Sequence, residues 1–280
     1  MRILALDSSG LVASVALLED EMLLGEYSTN YHKTHSVTLL PMLDELMRML
    51  SLEISEAGID AIAVAKGPGS FTGLRIGAAT AKGLAFALGV PIIPVSTLEG
   101  LAYNLWGASG NICPLMDARR NQTYTAVYRF IADKAGHDEQ MATVMAPCAV
   151  DIAEVIGRLS REGEPVTFLG DGVPVFRSMI EEQCMVPFRL APATMNRQRA
   201  ASVGAYAYRL AQADEEAMIA GEQFVPEYLR LSQAERERQE LAAQEAAEQG
   251  KREPASQDGT ESQKRAAQNG TEPQEKGAQA

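Results

Sequence analysis

The sequence predicts an α/β protein of two related lobes, followed by a disordered C-terminal tail. Short apolar runs of strand length alternate with stretches whose apolar residues recur at helical spacing. The order strand-strand-strand-helix-strand-helix occurs twice along the chain. A chain of 280 residues with 46% hydrophobic content is long enough to bury one or two cores. We therefore expect two sheets that are covered by helices.

The first lobe is expected to span residues 1–106. It opens with a meander of three short strands, and its first helix carries its leucines on one face. The predicted elements are strands Ile3–Asp7, Leu11–Leu18 and Leu23–Tyr27, helix Ser36–Leu50, strand Ala61–Ala65, helix Thr72–Leu88, strand Pro91–Val95 and helix Thr97–Trp106.

The second lobe is expected over residues 107–232, with a low-complexity tail over 233–280. The tail is mostly Glu, Gln, Ala, Lys, Ser and Gly, a composition that buries too little surface to offset chain entropy. The predicted elements of this lobe are strands Ile112–Asp117, Thr123–Phe130 and Met141–Ala146, helix Asp151–Arg161, strand Val166–Leu169, helix Val173–Glu182, strand Phe188–Leu190 and helix Ser202–Ile219.

Composition and charge exclude several classes of protein. A formal net charge of −12 disfavours an independent nucleic-acid binder, which usually has a basic face. No apolar run approaches the roughly 18 residues of a membrane span, and the N-terminus lacks a signal-peptide pattern. Cys113, Cys148 and Cys184 are far apart, in no metal-binding spacing. We expect free thiols and a cytoplasmic protein.

A glycine-rich segment, residues 66–77, joins a strand to a helix of small residues. Its sequence is Lys66-Gly67-Pro68-Gly69-Ser70-Phe71-Thr72-Gly73-Leu74-Arg75-Ile76-Gly77. It does not match the P-loop or the Rossmann fingerprint, since Thr72 stands where each requires a glycine. A hydrolase nucleophile elbow is also absent around Ser70. Two interpretations stay open: a structural turn with Ser70 as helix cap, or an anion site at the helix N-terminus.

The helix after this segment has two rows of small residues at a spacing of four. One row is Gly73, Gly77, Ala81 and Ala85, and the other is Ala79, Gly83 and Ala87. Glycines in a helix cost roughly 1 kcal/mol each against alanine, which is tolerable where another backbone approaches closely. The rows therefore pack within the lobe, against a helix of a partner protein, or both.

Five motifs, taken together, resemble the bacterial TsaB (YeaZ) family. They occur in order over residues 1–231, which is all of the chain except the tail. The motifs are Ile3-Leu4-Ala5-Leu6-Asp7-Ser8-Ser9, the segment 67–77, Val95-Ser96-Thr97-Leu98, Met116-Asp117-Ala118-Arg119 and Pro226-Glu227-Tyr228-Leu229-Arg230.

The resemblance implies a two-lobed fold of the actin, sugar-kinase and Hsp70 type, with ribonuclease H-like lobes. It implies a role in forming N6-threonylcarbamoyladenosine (t6A) at adenosine 37 of tRNA. In that pathway the homologue TsaD is catalytic and the ATPase TsaE completes the assembly. TsaB is the non-catalytic partner of TsaD, meets tRNA through the complex, and is expected to form a homodimer when alone. No cofactor is expected.

The resemblance also implies that helices of the first lobe, Ser36–Leu50 and Thr72–Leu88, form the interface with the partner. On this basis we expect Gly77→Leu to disturb pairing more than folding. The candidate interface residues are Leu39, Leu43, Leu46, Gly73, Gly77 and Ala81.

The loops where this fold binds nucleotide give candidates for a degenerate cleft. The polar residues of these loops either still bind a phosphate group or only cap the ends of the strands. The alternative function is accordingly a small-molecule kinase or ATPase that uses the interlobe cleft. The candidate cleft residues are Asp7, Ser8, Ser9, Asp117, Gly170 and Asp171.

No metal site and no catalytic residue is predicted. The catalytic relative carries two histidines at H-x-x-x-H spacing after the strand equivalent to Pro91–Val95, whereas residues 96–100 here read Ser-Thr-Leu-Glu-Gly. His32 and His35 have no carboxylate or thiolate near them in sequence and make a weak pair of ligands. Contact with an RNA phosphate is a further possibility for four arginines, which are otherwise solvated or salt-bridged: Arg119, Arg120, Arg197 and Arg199.

Overall fold

Two five-stranded mixed sheets form the framework of the described chain. The structure is a computed structural model, and it describes residues 1–31, 34–132 and 139–230. The tail 233–280, the last two residues of the expected second lobe, His32 and His137 lie outside the described residues. Within these ranges, no helix is both long enough and apolar enough to cross a membrane.

The first sheet has the strand order β3-β2-β1-β4-β5. β1 runs antiparallel to β2 and parallel to β4, and Leu4 and Ala5 in its middle are fully buried. Burial on both faces explains why β1, β2 and β4 are nearly continuous apolar runs, whereas the edge strand β3 is partly exposed and partly polar. The strands are β1 (Arg2–Asp7), β2 (Ala13–Glu19), β3 (Met22–Thr29), β4 (Ala61–Gly67) and β5 (Ile92–Ser96).

Helices cover both faces of this sheet. α1 (His35–Met49) and α2 (Phe71–Leu88) pack on the face that carries Leu4 and Leu6. The opposite face, with Ile3 and Ala5, is covered by an alanine-rich helix from the end of the described chain, Ala200–Ala213. This arrangement places the N-termini of α1 and α2 near the carboxyl ends of β1 and β4.

The second sheet has the order β10-β9-β6-β7-β8. Counted within each lobe, both sheets have the order third-second-first-fourth-fifth, so the predicted repeat is confirmed. One face packs on α4 and α5 and the other on α3, which joins the lobes. The elements are α3 (Thr97–Tyr103), β6 (Asn111–Asp117), β7 (Gln122–Ala132), β8 (Glu139–Asp151), α4 (Ile152–Glu162), β9 (Val166–Leu169), α5 (Gly172–Gln183), β10 (Phe188–Leu190) and α6 (Ala200–Ala213).

The last helix departs from the sequence prediction in length and in place. It was expected over Ser202–Ile219 as part of the second lobe, but α6 ends at Ala213 and packs on the first sheet. Beyond a short 3₁₀ turn, Ile219 pairs with Ile92 of β5 through backbone hydrogen bonds of 2.8 Å in both directions. The small residues of α6 explain its location, because a side chain at Gly204 would collide with Leu18.

Candidate functional site

The loop after β1 is closed by its own hydrogen bonds. The Oδ1 atom of Asp7 accepts from the Ser9 backbone N–H at 2.9 Å and from the Ser9 hydroxyl at 2.6 Å. Asp7 is 2% exposed, and this burial raises the pKa of its carboxyl to about 6, although both Ser9 bonds lower it. Asp7 and Ser9, two of the predicted cleft residues, are therefore hydrogen-bonded to each other and do not face open solvent.

The glycine-rich segment packs directly on this loop. The Ser8 hydroxyl donates to the Gly73 carbonyl at 2.9 Å, and the Ser70 N–H donates to the Ser9 carbonyl at 2.7 Å. A Cβ atom at Gly69 would collide with the Ser9 carbonyl, and one at Gly73 with the Ser8 carbonyl. The glycines thus allow two backbone segments to touch, which favours the structural interpretation over an anion site.

Ser70 acts as the cap of α2, as its position in the sequence predicts. Its hydroxyl oxygen accepts a hydrogen bond from the Gly73 N–H at 3.3 Å. Within the described part of the chain, the Ser70 hydroxyl makes no hydrogen bond to a histidine, as a general base would require. His35 instead lies at the start of α1, where its Nε2 is 2.8 Å from the Gly10 carbonyl oxygen.

Asp117 and Asp171 lie together at the carboxyl ends of β6 and β9. Asp117 accepts the Arg119 N–H at 2.8 Å and forms an ion pair with the Arg119 guanidinium at 3.1 Å. The Oδ1 atom of Asp171 is buried without a hydrogen-bond partner. Burial raises the pKa of Asp171, nearby Arg197 lowers it, and Asp117 raises it further. Two of the predicted cleft carboxylates are therefore neighbours.

Gly170, another of the predicted cleft residues, packs closely against β6. Its φ is +107°, and a Cβ atom there would collide with the Leu115 carbonyl of β6. Its N–H donates to the Asn196 side-chain oxygen at 2.6 Å. The Gly170 N–H is thus already engaged by the chain itself.

The position after β5, where the family resemblance directed the search for paired histidines, is a buried polar patch. Thr97 is fully buried, and burial raises the pKa of the Glu99 carboxyl, which is also hydrogen-bonded to Tyr206. The single carboxyl group of Glu99 is too few ligands to bind a metal ion. Among the residues that the structure describes, no cluster of three or more His, Cys, Asp or Glu side chains is suited to a metal ion.

The six candidate interface residues lie inside the first lobe. Each is buried, and together they pack α1 and α2 onto the sheet. A Cβ atom at Gly77 would stand 2.6 Å from the Ser8 hydroxyl oxygen, so Gly77→Leu would disturb the fold itself, contrary to the expectation from sequence. The residues concerned are Leu39, Leu43, Leu46, Gly73, Gly77 and Ala81.

The opposite sides of the same two helices are exposed and apolar. Phe86 of α2 is 92% exposed, and Val37 and Leu40 of α1 are 62% and 53% exposed. The second small-residue row also points outward, and a Cβ atom at Gly83 would meet no atom within 4 Å. We call these residues the outer helical face: Val37, Leu40, Ala79, Gly83, Phe86 and Ala87.

Comparison with known proteins decides the family. Residues 23–238 match the family model described as TsaD: tRNA N6-adenosine threonylcarbamoyltransferase. The tRNA threonylcarbamoyladenosine biosynthesis protein TsaB of Bacillus subtilis is 37% identical over 235 residues, which is 84% of this chain and 96% of that protein. The chain belongs to the TsaB family. Escherichia coli TsaB is 34% identical over 152 residues, covering 52% of this chain and 63% of that protein.

Solved structures of the TsaB (YeaZ) family share the fold. YeaZ from Pseudomonas aeruginosa superposes with a TM-score of 0.65 at 28% identity, covering 81% of this chain and 99% of that chain. A second Pseudomonas aeruginosa structure, described as similar to peptidase YEAZ, gives 0.63 at 27% identity, with coverage of 82% and 99%. The predicted two-lobed α/β fold is thereby confirmed.

The C-terminal motif of this TsaB-family chain bridges the two lobes. The Glu227 N–H donates to the Lys66 carbonyl at 2.7 Å, and the two side chains form an ion pair at 3.0 Å. Arg230 then donates to the Ala118 carbonyl of the β6–β7 turn at 2.8 Å. We call residues 226–230 the strap. The motif was visible in the sequence, but its partners are more than a hundred residues away.

Aromatic contacts fasten the strap to the start of α2. The ring centroids of Phe71 and Tyr228 are 5.0 Å apart. The Arg75 guanidinium lies 3.9 Å from the centroid of the Phe71 ring and donates to the Tyr228 hydroxyl at 3.4 Å. The strap thus holds the glycine-rich segment and, through Arg230, the β6–β7 turn.

A pocket of about 630 Å³ extends the outer helical face at the end of α2. Its walls come from Lys82 and Phe86 of α2, from the turn at Gly89, and from residues 218–222, which follow α6. The sequence analysis did not predict this pocket, because it extended the last helix to Ile219. In the structure α6 ends earlier, and residues 218–222 are free to form one wall of the pocket. The sequence signal for the break is Asp214, whose side chain caps the 3₁₀ turn Glu215–Ala217.

Proposed function

We propose that this chain is a non-catalytic subunit in t6A formation on tRNA, and that it pairs with a TsaD-like catalytic homologue. The observation that carries the proposal is the outer helical face, whose Phe86 is 92% exposed beside a row of small residues. The 37% identity to Bacillus subtilis TsaB supports the pathway. A TsaE-like ATPase would join the complex, and tRNA would reach the chain through it, in the cytoplasm.

The outer helical face suits close packing by helices of a related protein. Exposed Ala79, Gly83 and Ala87 let a second backbone approach α2, while Phe86 and Leu40 supply apolar area. Each Å² of apolar surface removed from water contributes about 25 cal/mol. The same face would pair with a second copy of this chain when the homologue is absent.

The state of the cleft supports a scaffold role rather than turnover. Asp7 is held by Ser9, the glycine-rich segment lies against Ser8 and Ser9, and the Gly170 N–H is taken by Asn196. A kinase or ATPase would need these loops open to phosphate oxygens. Calorimetry of the isolated chain with ATP and Mg²⁺ tests the enzyme alternative, since micromolar binding with turnover would favour it.

The decisive experiment is a pull-down of the catalytic homologue with the full chain, followed by t6A assays with and without it. Phe86→Asp should lose the homologue and the modification. Met185→Asp is the matched control, because Met185 is 82% exposed and follows α5 in the second lobe. Wild-type levels of t6A without this chain, or normal pairing by Phe86→Asp, would refute the proposal.

A further inference from the structure

The turn between β6 and β7 has three successive non-glycine residues in the left-handed region. The φ angles of Arg119, Arg120 and Asn121 are +65°, +54° and +61°. Residues with a Cβ atom disfavour this region, and asparagine tolerates it better than arginine does. A run of three is therefore strained, and glycine would satisfy the same backbone at lower cost.

The surrounding chain holds this turn in place. The Ala118 N–H donates to the Gln122 carbonyl at 2.9 Å, and the Gln122 N–H donates to the Arg119 carbonyl at 3.1 Å. Asp117 binds the Arg119 N–H, and Arg230 of the strap binds the Ala118 carbonyl. The result is a fixed tip from which the side chains of residues 119–121 point into solvent.

The tip carries positive charge that the chain does not fully neutralise. Arg119 is paired with Asp117, but its side chain is 83% exposed. The Arg120 side chain has no hydrogen bond or ion pair to any described residue. Arg48 and Arg177 are paired with a glutamate on their own helix, whereas exposed Arg161 and Arg189, like Arg120, have no hydrogen bond or ion pair to a described residue. The turn differs from single unpaired arginines in holding two guanidinium groups at successive positions, a local concentration of positive charge on a chain of net charge −12.

We propose that the 119–121 turn contacts backbone phosphates of the tRNA in the assembled complex, an inference that rests on the proposed function. Guanidinium groups bind phosphate oxygens in a bidentate manner, and an asparagine amide adds a further donor. A protein partner would be expected to find an apolar anchor at the centre of its contact. The turn offers none, since its one apolar neighbour, Ala118, is buried.

The test uses the full chain in complex with the catalytic homologue and an unmodified tRNA transcript. Arg119→Ala/Arg120→Ala should weaken tRNA binding by about 3- to 10-fold at moderate salt. The slope of log K against log salt should fall by about 1 to 2, roughly one unit for each phosphate group that the variant no longer binds. Arg161→Ala/Arg189→Ala is the control, because it removes the same charge from two exposed arginines elsewhere in the second lobe, at the end of α4 and in β10.

Arg120→Ala is the second variant, and we expect it to fold because the exposed Arg120 side chain has no hydrogen bond or ion pair to a described residue. It should lower the salt slope by about 1 while the complex still assembles. Arg120→Gly should also raise the Tm, since it relieves the left-handed strain while it removes the charge.

Three outcomes overturn the inference, and they are distinguishable. A wild-type salt slope in the double variant, with a normal complex, refutes tRNA contact and leaves the proposed function intact. Loss of the catalytic homologue from the double variant makes the turn a protein contact instead. Failure of the wild-type chain to form a complex refutes the proposed function, and this inference with it.

Discussion

Gly77 of α2 faces Ser8 of the first loop so closely that a Cβ atom at position 77 would stand 2.6 Å from the Ser8 hydroxyl oxygen. The Ser8 hydroxyl is already bonded to the Gly73 carbonyl one turn earlier in α2, so it has little freedom to move away. The absence of a side chain at Gly77 thus positions α2 on the sheet, and with it the outer helical face.

We predict that Gly77→Ala destabilises the isolated chain by about 1–3 kcal/mol, because the added methyl group overpacks the contact with Ser8. Gly83→Ala is the matched variant on the exposed side of the same helix, where nothing lies within 4 Å of the new Cβ atom. It should gain about 0.5–1 kcal/mol from helix propensity. Urea denaturation of both variants checks this, and equal effects would contradict the packing of α2 described above.

We predict that Phe86→Asp weakens pairing with the catalytic homologue by about 2 kcal/mol or more, as for a central interface residue. The Tm of the isolated chain should hardly change, because Phe86 is 92% exposed. Size-exclusion chromatography and thermal melts measure the two effects separately. An equal loss of pairing in Met185→Asp would mean that charge, rather than this surface, is responsible.

The strap should stabilise the described part of the chain. Deleting residues 226–280 removes the Phe71–Tyr228 contact and the Lys66–Glu227 bonds, and we expect a loss of about 2–3 kcal/mol. Deleting residues 231–280 leaves every strap residue in place and should preserve both folding and pairing. Comparing the denaturation midpoints of the two truncations checks this. Identical midpoints would show that the strap contributes nothing.

Asp7 should make stability fall as the pH rises from about 4 to 6. Its pKa is raised from 3.8 to about 6 by burial, so in this range the folded state binds a proton that the unfolded state has released. A shift of this size is equivalent to about 2–3 kcal/mol, present below the unfolded pKa and lost above the folded one. Asp7→Asn should flatten the profile and stabilise the chain above pH 6.

The check on Asp7 is denaturation at a series of pH values. Asp44→Asn, on the exposed side of α1, is the control for the loss of one carboxylate charge. A profile of Asp7→Asn parallel to that of the wild type would mean that this carboxyl group does not titrate as described.

Sequence patterns predicted most of the framework because apolar periodicity reports which residues are buried. The strands around Leu4 and Phe168 follow directly from short apolar runs. Periodicity does not report what a buried face packs against. The row Gly73, Gly77, Ala81 and Ala85 was therefore recognised as a close-packing surface, with its partner left open between the lobe itself and another protein. In the structure the row is buried inside the first lobe, with Gly73 and Gly77 against Ser8.

Features that depend on distant contacts were less accessible from sequence. Nothing in Arg119-Arg120-Asn121 predicts three left-handed residues, because the backbone there is held by Asp117, Gln122 and the distant Arg230. Likewise, the composition of α6 indicates a buried helix but not which of the two sheets it covers.

The return of α6 to the first sheet has a consequence for synthesis on the ribosome. The sheet face with Ile3, Ala5 and Ile93 is completed only by residues 200–213. When the nascent chain has emerged to residue 106, all five strands of the first sheet are available, but one apolar face of that sheet is still exposed to solvent. The N-terminal half must wait for nearly the whole of the other half to be translated before it can close, and chaperones have that interval in which to bind it.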